Sequence, residues 1–129
     1  MIRHSQQGFT FLELMISGVI IGILASIAYP SYQDQIQASR RSDAIKALLA
    51  TQLAEEQWRA NNTSYTTSLT DLDISATSPD GYYTISVTSA DSTTYTIEAD
   101  PTGMQAGDTD CDPMTINQDG VKTPADGCW

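Results

Sequence analysis

Between Phe9 and Ala28 the chain carries a single ionisable side chain, Glu13, within about 20 otherwise uncharged residues. A helix rises about 1.5 Å per residue, so this stretch can reach across a hydrocarbon core roughly 30 Å thick. A lone carboxylate near the start of such a segment costs on the order of 2.5–3.5 kcal/mol or more in lipid. It therefore calls for a partner, and no lysine, arginine or histidine lies within the segment to supply one. The chemistry on offer is pairing with a group that comes from elsewhere.

Three other sets of residues could do chemistry. Cys111 and Cys128 are the only cysteines. A chain exported from the cytoplasm enters an oxidising compartment, where this pair is expected to form a disulfide. Their long spacing and the lack of an accompanying histidine argue against a metal or redox role. Asp108, Asp110 and Asp112 alternate like the opening of a calcium loop, with Asp119 where the twelfth-position ligand would fall. Pro113 stands where that loop needs glycine, so a polar rim on the cysteine loop is the competing reading. Asp71 and Asp73 could serve as an acid and base pair, or simply be solvated loop acids. The sole histidine, His4, lies in the polar leader, so no Ser-His-Asp or Cys-His arrangement can be built downstream of it. No catalytic residue, metal or cofactor is assigned.

The net charge of −10 is unevenly placed. After Ala60 there are eleven acids against one base, Lys122, whereas Arg40, Arg41, Lys46 and Arg59 balance four acids between Asp34 and Ala60. An acidic head repels phosphate backbones, because nucleic-acid binding relies on Lys and Arg releasing counterions. Any cationic contact must be local, with Arg40, Arg41 and Lys46 as the candidates.

The elements that would carry these residues follow from pattern. After a leader ending at Gly8, residues 9–32 form an apolar helix, and good helix formers continue it over 33–60. Ile45, Leu48, Leu49 and Leu53 recur at helical spacing, which predicts one buried stripe. Pro30 predicts a kink or local break, and Gly18-x-x-x-Gly22 offers a close-approach face for a second helix. Residues 61–80 read as a Ser/Thr/Asp-rich loop, whose two Asn-x-Ser/Thr patterns are treated as coincidental. Tyr83, Ile85 and Val87, then Tyr95, Ile97 and Ala99, alternate with polar residues as half-buried strands around a turn at Ser89–Thr93. Met114–Asn117 and Val121–Thr123 flank an Asp-Gly hairpin signal. The head, 33–129, is thus expected to be α+β, four antiparallel strands packed on the amphipathic half of the helix. Trp58 is expected under the sheet or the loop, and Trp129 at the core edge or against a neighbour.

Gly8-Phe9-Thr10-Phe11-Leu12-Glu13 resembles, position for position, the processing site of the type IV prepilins. The resemblance implies cleavage after Gly8 by a prepilin peptidase, N-methylation at Phe9, and pairing of Glu13 with the Phe9 amine of a neighbouring subunit. Such a pair attracts far more strongly in low dielectric than in water. The resemblance also implies a pilin fold with a C-terminal disulfide loop and loss of helix regularity between Gly22 and Pro30 inside a filament. A secretory signal would have a shorter apolar core, and a plain signal anchor explains neither Glu13 nor Gly8. Ser39-Arg40-Arg41-Ser42-Asp43-Ala44, Gly81-Tyr82-Tyr83-Thr84-Ile85 and Gly127-Cys128-Trp129 further resemble PilE-type minor pilins of Gram-negative bacteria. The implied function is a structural subunit of a pilus that supports assembly, twitching motility and adhesion. Implied partners are other pilin subunits, the peptidase, an assembly platform and the inner membrane, with the head in the periplasm before assembly and outside the cell after it. Two alternatives stay open, a DNA-uptake receptor pilin and a type II secretion pseudopilin, with a catalytic domain on an anchor more distant.

Overall fold

The structure, a computed structural model, describes residues 8–129. Arg3, His4 and the rest of the leader before Gly8 lie outside the described residues. One helix, α1, spans Phe11–Arg59. It starts where Thr10 can cap it and ends in a turn where Asn62 Nδ2 donates to the Trp58 carbonyl at 2.9 Å, satisfying one of the orphan acceptors of a helix terminus.

The helix runs unbroken through Gly22 and Pro30, where the sequence predicts a kink or break. Proline deletes one backbone bond, the one to the carbonyl of Ser26, while its fixed φ remains compatible with a helix. In the chain by itself that single loss does not open 49 residues of helix.

The chain divides into two compact units, one ending at Gln35 and the other spanning Ile36–Trp129. In the first, the apolar side chains from Phe9 to Tyr32 are exposed, and the stretch is long and apolar enough to cross a membrane. A Cβ added at Gly18 or Gly22 would meet open space.

In the second unit, β1 (Tyr83–Ala90), β2 (Tyr95–Pro101), β3 (Met114–Asn117) and β4 (Lys122–Thr123) form one antiparallel sheet in sequence order. The predicted alternation is what the sheet uses: Tyr83, Ile85, Val87, Tyr95, Ile97, Ala99, Met114 and Ile116 are buried. The first turn falls later than expected, after Ala90, because Asp91 caps it by accepting the amides of Thr93 and Thr94 at 2.7 and 2.6 Å. Gly120, with φ +73°, supplies the left-handed residue of the β3–β4 turn. Leu72 joins the core from the 61–80 segment, which otherwise lacks regular structure.

The buried stripe of α1 differs from the predicted one. Asp43, Ala44, Ala47, Leu48, Thr51 and Glu55 are buried, whereas Leu49 and Leu53 are 44% and 60% exposed. At about 100° per residue Leu49 and Leu53 turn away from the Ala44–Leu48 face. Hydropathy alone misplaces the stripe because three of its members are polar: Thr51 donates back to the Ala47 carbonyl within the helix, and Asp43 and Glu55 accept from the loop before the sheet.

Candidate assembly site and head surface

At the N-terminus, Thr10 and Glu13 form a reciprocal pair. The Thr10 amide donates to Glu13 Oε2 at 3.4 Å, and the Glu13 amide donates to Thr10 Oγ1 at 3.2 Å. This is a capping box, Thr-x-x-Glu, in which each side chain satisfies the other residue's free N–H. Glu13 therefore has an intrachain partner after all, and the signal for it was present in the Thr10–Glu13 spacing. One carboxylate oxygen, Oε1, stays available to an outside donor. Gly8 and Phe9 precede the helix, with Phe9 81% exposed.

In the head, Arg41 is committed to the interior. Its Nε and Nη2 donate to the two oxygens of Asp108, each at 2.7 Å, and its Nη1 donates to the Gly127 carbonyl at 3.0 Å. Asp108 is buried and also accepts from Gln105 Nε2 at 3.1 Å. Gln105 in turn reaches the Tyr83 hydroxyl at 3.0 Å and the Gln37 carbonyl at 3.2 Å. The Asp108 hydrogen bond and charge hold the Arg41 guanidinium more firmly protonated than usual, and burial pushes the Tyr83 phenol up. The Cys111–Cys128 disulfide, with Cα atoms 5.7 Å apart, closes the loop that carries Gly127.

Two further carboxylates organise the loop before the sheet. Asp43, buried on α1, accepts the Ser78 hydroxyl and the amides of Asp80 and Tyr82 at 2.9 and 3.4 Å, pinning the turn that opens β1. Glu55, also buried, accepts the Thr66 amide at 3.2 Å through Oε2, while Oε1 has no partner. Desolvation, reinforced by the charge of Glu56, raises its pKa. Glu56 accepts the hydroxyls of Tyr65 and Tyr95 at 3.3 and 3.2 Å, and the two rings pack edge to face.

These placements separate two sets of candidate residues. The calcium loop is not assembled: Asp108 is occupied by Arg41, Asp110 and Asp112 face solvent, and Asp119 accepts from its neighbour Gln118. Among the described residues no group of three or more acids, cysteines or histidines converges as a metal site. Nor do Arg40, Arg41 and Lys46 make one strip, since Arg41 points at Asp108. Arg40 instead lies over the Tyr82 ring, 4.6 Å from its centre, and lines with Lys46 an open groove of about 600 Å³. Asp71 and Asp73 sit in an exposed turn, Asp73 with φ +56°. Trp58 is half-buried against the loop, beside Leu72, and Trp129 is held at the core edge with Lys122 over its ring at 4.9 Å.

Residues 30–115 match the family model described as "Type IV minor pilin ComP, DNA uptake sequence receptor", and residues 3–29 match the prokaryotic N-terminal methylation motif. The chain belongs to the type IV pilins. Among curated relatives, the pilin is 54% identical to the fimbrial protein EcpC of Eikenella corrodens over 34% of its own length and 29% of that protein. It is 42% identical to the type IV major pilin protein PilE1 of Neisseria gonorrhoeae over 46% of itself and 40% of the relative. It is 34% identical to the type II secretion system core protein G of Klebsiella michiganensis over 61% of itself and 56% of the relative. The pilin thus aligns with less than two thirds of each of these proteins. A solved type IV pilin from Shewanella oneidensis superposes with a TM-score of 0.56 at 29% identity, covering 72% of this chain and 97% of that one. The expected α+β pilin fold, with its long helix, four-stranded antiparallel sheet and disulfide loop, is the fold this pilin has.

Proposed function

We propose that this pilin is a structural subunit, of the minor type, of a type IV pilus, and not an enzyme. The observation that carries this reading is Glu13, the one acid of the exposed apolar segment from Phe9 to Tyr32, held in a capping box directly after Gly8-Phe9. Peptidase cleavage after Gly8 frees the Phe9 amine, which is then N-methylated. Glu13 Oε2 remains on the Thr10 amide while Oε1 accepts the Phe9 amine of a neighbour. Before assembly the apolar segment spans the inner membrane with the head in the periplasm. Extraction by the assembly platform moves that segment from lipid into a bundle of like helices, so its apolar surface stays dry throughout. Gly22 and Pro30 mark where α1 loses regularity once it is packed in the filament, since glycine and proline cost about 1 and 3 kcal/mol relative to alanine. The filament supports twitching motility and adhesion. Deletion of the subunit is expected to reduce pili in electron micrographs and surface spreading, and Glu13→Val is expected to reproduce the deletion. Normal incorporation of Glu13→Val into sheared fibres would sink the proposal.

A second reading is favoured by the match of residues 30–115 to a model described as a DNA uptake sequence receptor. Arg40 and Lys46 supply a local cationic groove for it, against a strongly acidic distal head. A gel shift in low salt decides: a complex that Lys46→Glu weakens and salt dissolves supports DNA binding, and an unshifted band ends it.

A further inference from the structure

An open groove of about 330 Å³ lies where the C-terminal end of α1 meets the turn at Asp71 and Leu72. Trp58 and Leu72 give it apolar surface, the indole half-buried and Leu72 buried. Gln57, Asn61, Asn62 and Asp71 are exposed and give it a polar rim. That rim is fixed by the fold. Asn62 Nδ2 donates to the Trp58 carbonyl at 2.9 Å, and Arg59 Nη1 donates to the Asn62 carbonyl at 2.7 Å. The Asp71 amide donates to the Ser68 carbonyl at 3.1 Å and to the Ser68 hydroxyl at 3.2 Å. Among the described residues the Trp58 indole N–H, the Gln57 side-chain amide and the Asp71 carboxylate make no intramolecular hydrogen bond, and none of them is buried.

We propose that this groove binds a neutral pyranose sugar, with the ring stacked on the Trp58 indole and its hydroxyls taken by Gln57, Asn61 and Asp71. Such a ring carries two kinds of surface, a patch of C–H groups and a girdle of hydroxyls that both donate and accept. The groove answers each. Indole offers apolar area with one polar N–H. Side-chain amides donate and accept, and a carboxylate accepts from a hydroxyl through a charge-assisted bond. The volume is that of a small ligand pocket, with room for a sugar ring. Other ligand classes fit worse. No lysine or arginine lines the groove, and its single acid repels phosphates, sulfates and acidic sugars. One carboxylate is too few for a divalent cation. A wholly apolar ligand would strip water from the amides and the carboxylate without replacing its hydrogen bonds. The site goes beyond the pilus-subunit reading and belongs to the head by itself.

The test is a fluorescence titration of the full chain in a detergent without a sugar headgroup. Trp129→Phe is carried throughout, so that Trp58 is the one tryptophan left to report. The probes are methyl β-galactoside, methyl β-glucoside and N,N′-diacetylchitobiose, with sialic acid as the charged control. The expected result is a saturable change in emission with a neutral probe, on the order of millimolar, and none with sialic acid. Gln57→Ala/Asp71→Ala, at two exposed positions, is expected to weaken binding about tenfold. Near-ultraviolet circular dichroism and the intact disulfide report that this variant is folded. Preference for the galactoside supports a surface glycan as the source, and preference for chitobiose supports N-acetylated glycan strands. A flat titration with every neutral probe overturns the proposal. So does equal affinity for sialic acid, or binding that the double substitution leaves unchanged. Incorporation into sheared pili is scored separately: a chain that binds sugar but is absent from pili removes the pilus reading and leaves this site standing.

Discussion

Arg41 on α1 and Asp108 after β2, 67 positions apart, are joined by two parallel hydrogen bonds of 2.7 Å, one from each of two guanidinium nitrogens. A bidentate pair of this kind is both strong and directional. It ties the helix to the 3₁₀ turns at Gly103–Gly107 and Thr109–Cys111, and through Gly127 to the disulfide loop. Arg41→Ala leaves Asp108 buried and unpaired, which is expected to cost about 3–5 kcal/mol. Chemical denaturation of the detergent-solubilised chain, followed by tryptophan fluorescence, measures it. Asp108→Asn in the Arg41→Ala background should recover part of the loss, since the remaining buried group is then neutral.

Thr10→Val removes the hydroxyl that accepts the Glu13 amide and is expected to cost the helix start about 1 kcal/mol. Faster amide hydrogen exchange at Leu12 and Glu13, with the head unchanged, is the readout, and Thr10→Ser should restore protection. Equal exchange in Thr10→Val and wild type would show that the cap contributes nothing.

Glu55 gives a pH dependence with a definite sign. Its pKa in the fold lies above the ordinary value of 4.5, because burial penalises the carboxylate. The folded state therefore binds that proton more tightly than the unfolded chain does. The associated stability is present below about pH 4.5 and lost as pH rises through the raised pKa. Glu55→Gln should remove this dependence and raise stability at pH 8 by about 1 kcal/mol, the scale of a buried acceptor left unmet. Melting curves at pH 4 and pH 8 test it, and a Gln variant that is less stable at pH 8 would contradict the account.

The disulfide closes a loop between residues 17 apart in sequence. Its removal in Cys111→Ser/Cys128→Ser is expected to cost about 3 kcal/mol in the chain-entropy model. Loss should centre on the C-terminal segment, where Arg41 also loses the fixed position of Gly127. Protease digestion of the oxidised chain, with and without the substitution, would locate it.

The N-terminal methylation motif and the membrane-length segment were legible because they are local: a glycine, an aromatic, one acid and an uninterrupted apolar run carry their meaning without any distant contact. The strands were legible for the same reason, as period-two alternation puts Ile85 and Ile97 on one face whatever they pack against. The Thr10–Glu13 cap was equally local and could have been read from its spacing. Arg41 could not be separated from Arg40, because adjacent positions on a helix differ by about 100° and only the fold says which direction meets Asp108. Asp43, Thr51 and Glu55 lay outside the predicted apolar stripe and went to the core because partners 4 to 39 residues away accept or donate to them.

The sequence alone settled which segment is apolar, where its one charge lies, how the strands alternate and which two thiols exist to be joined. Tertiary structure decided which side of the head helix faces inward, which arginine is used up inside, and that Leu49 and Leu53 are left in water. Those outcomes depend on hydrogen bonds between residues far apart in the chain, and such bonds reverse the burial that polarity by itself would assign.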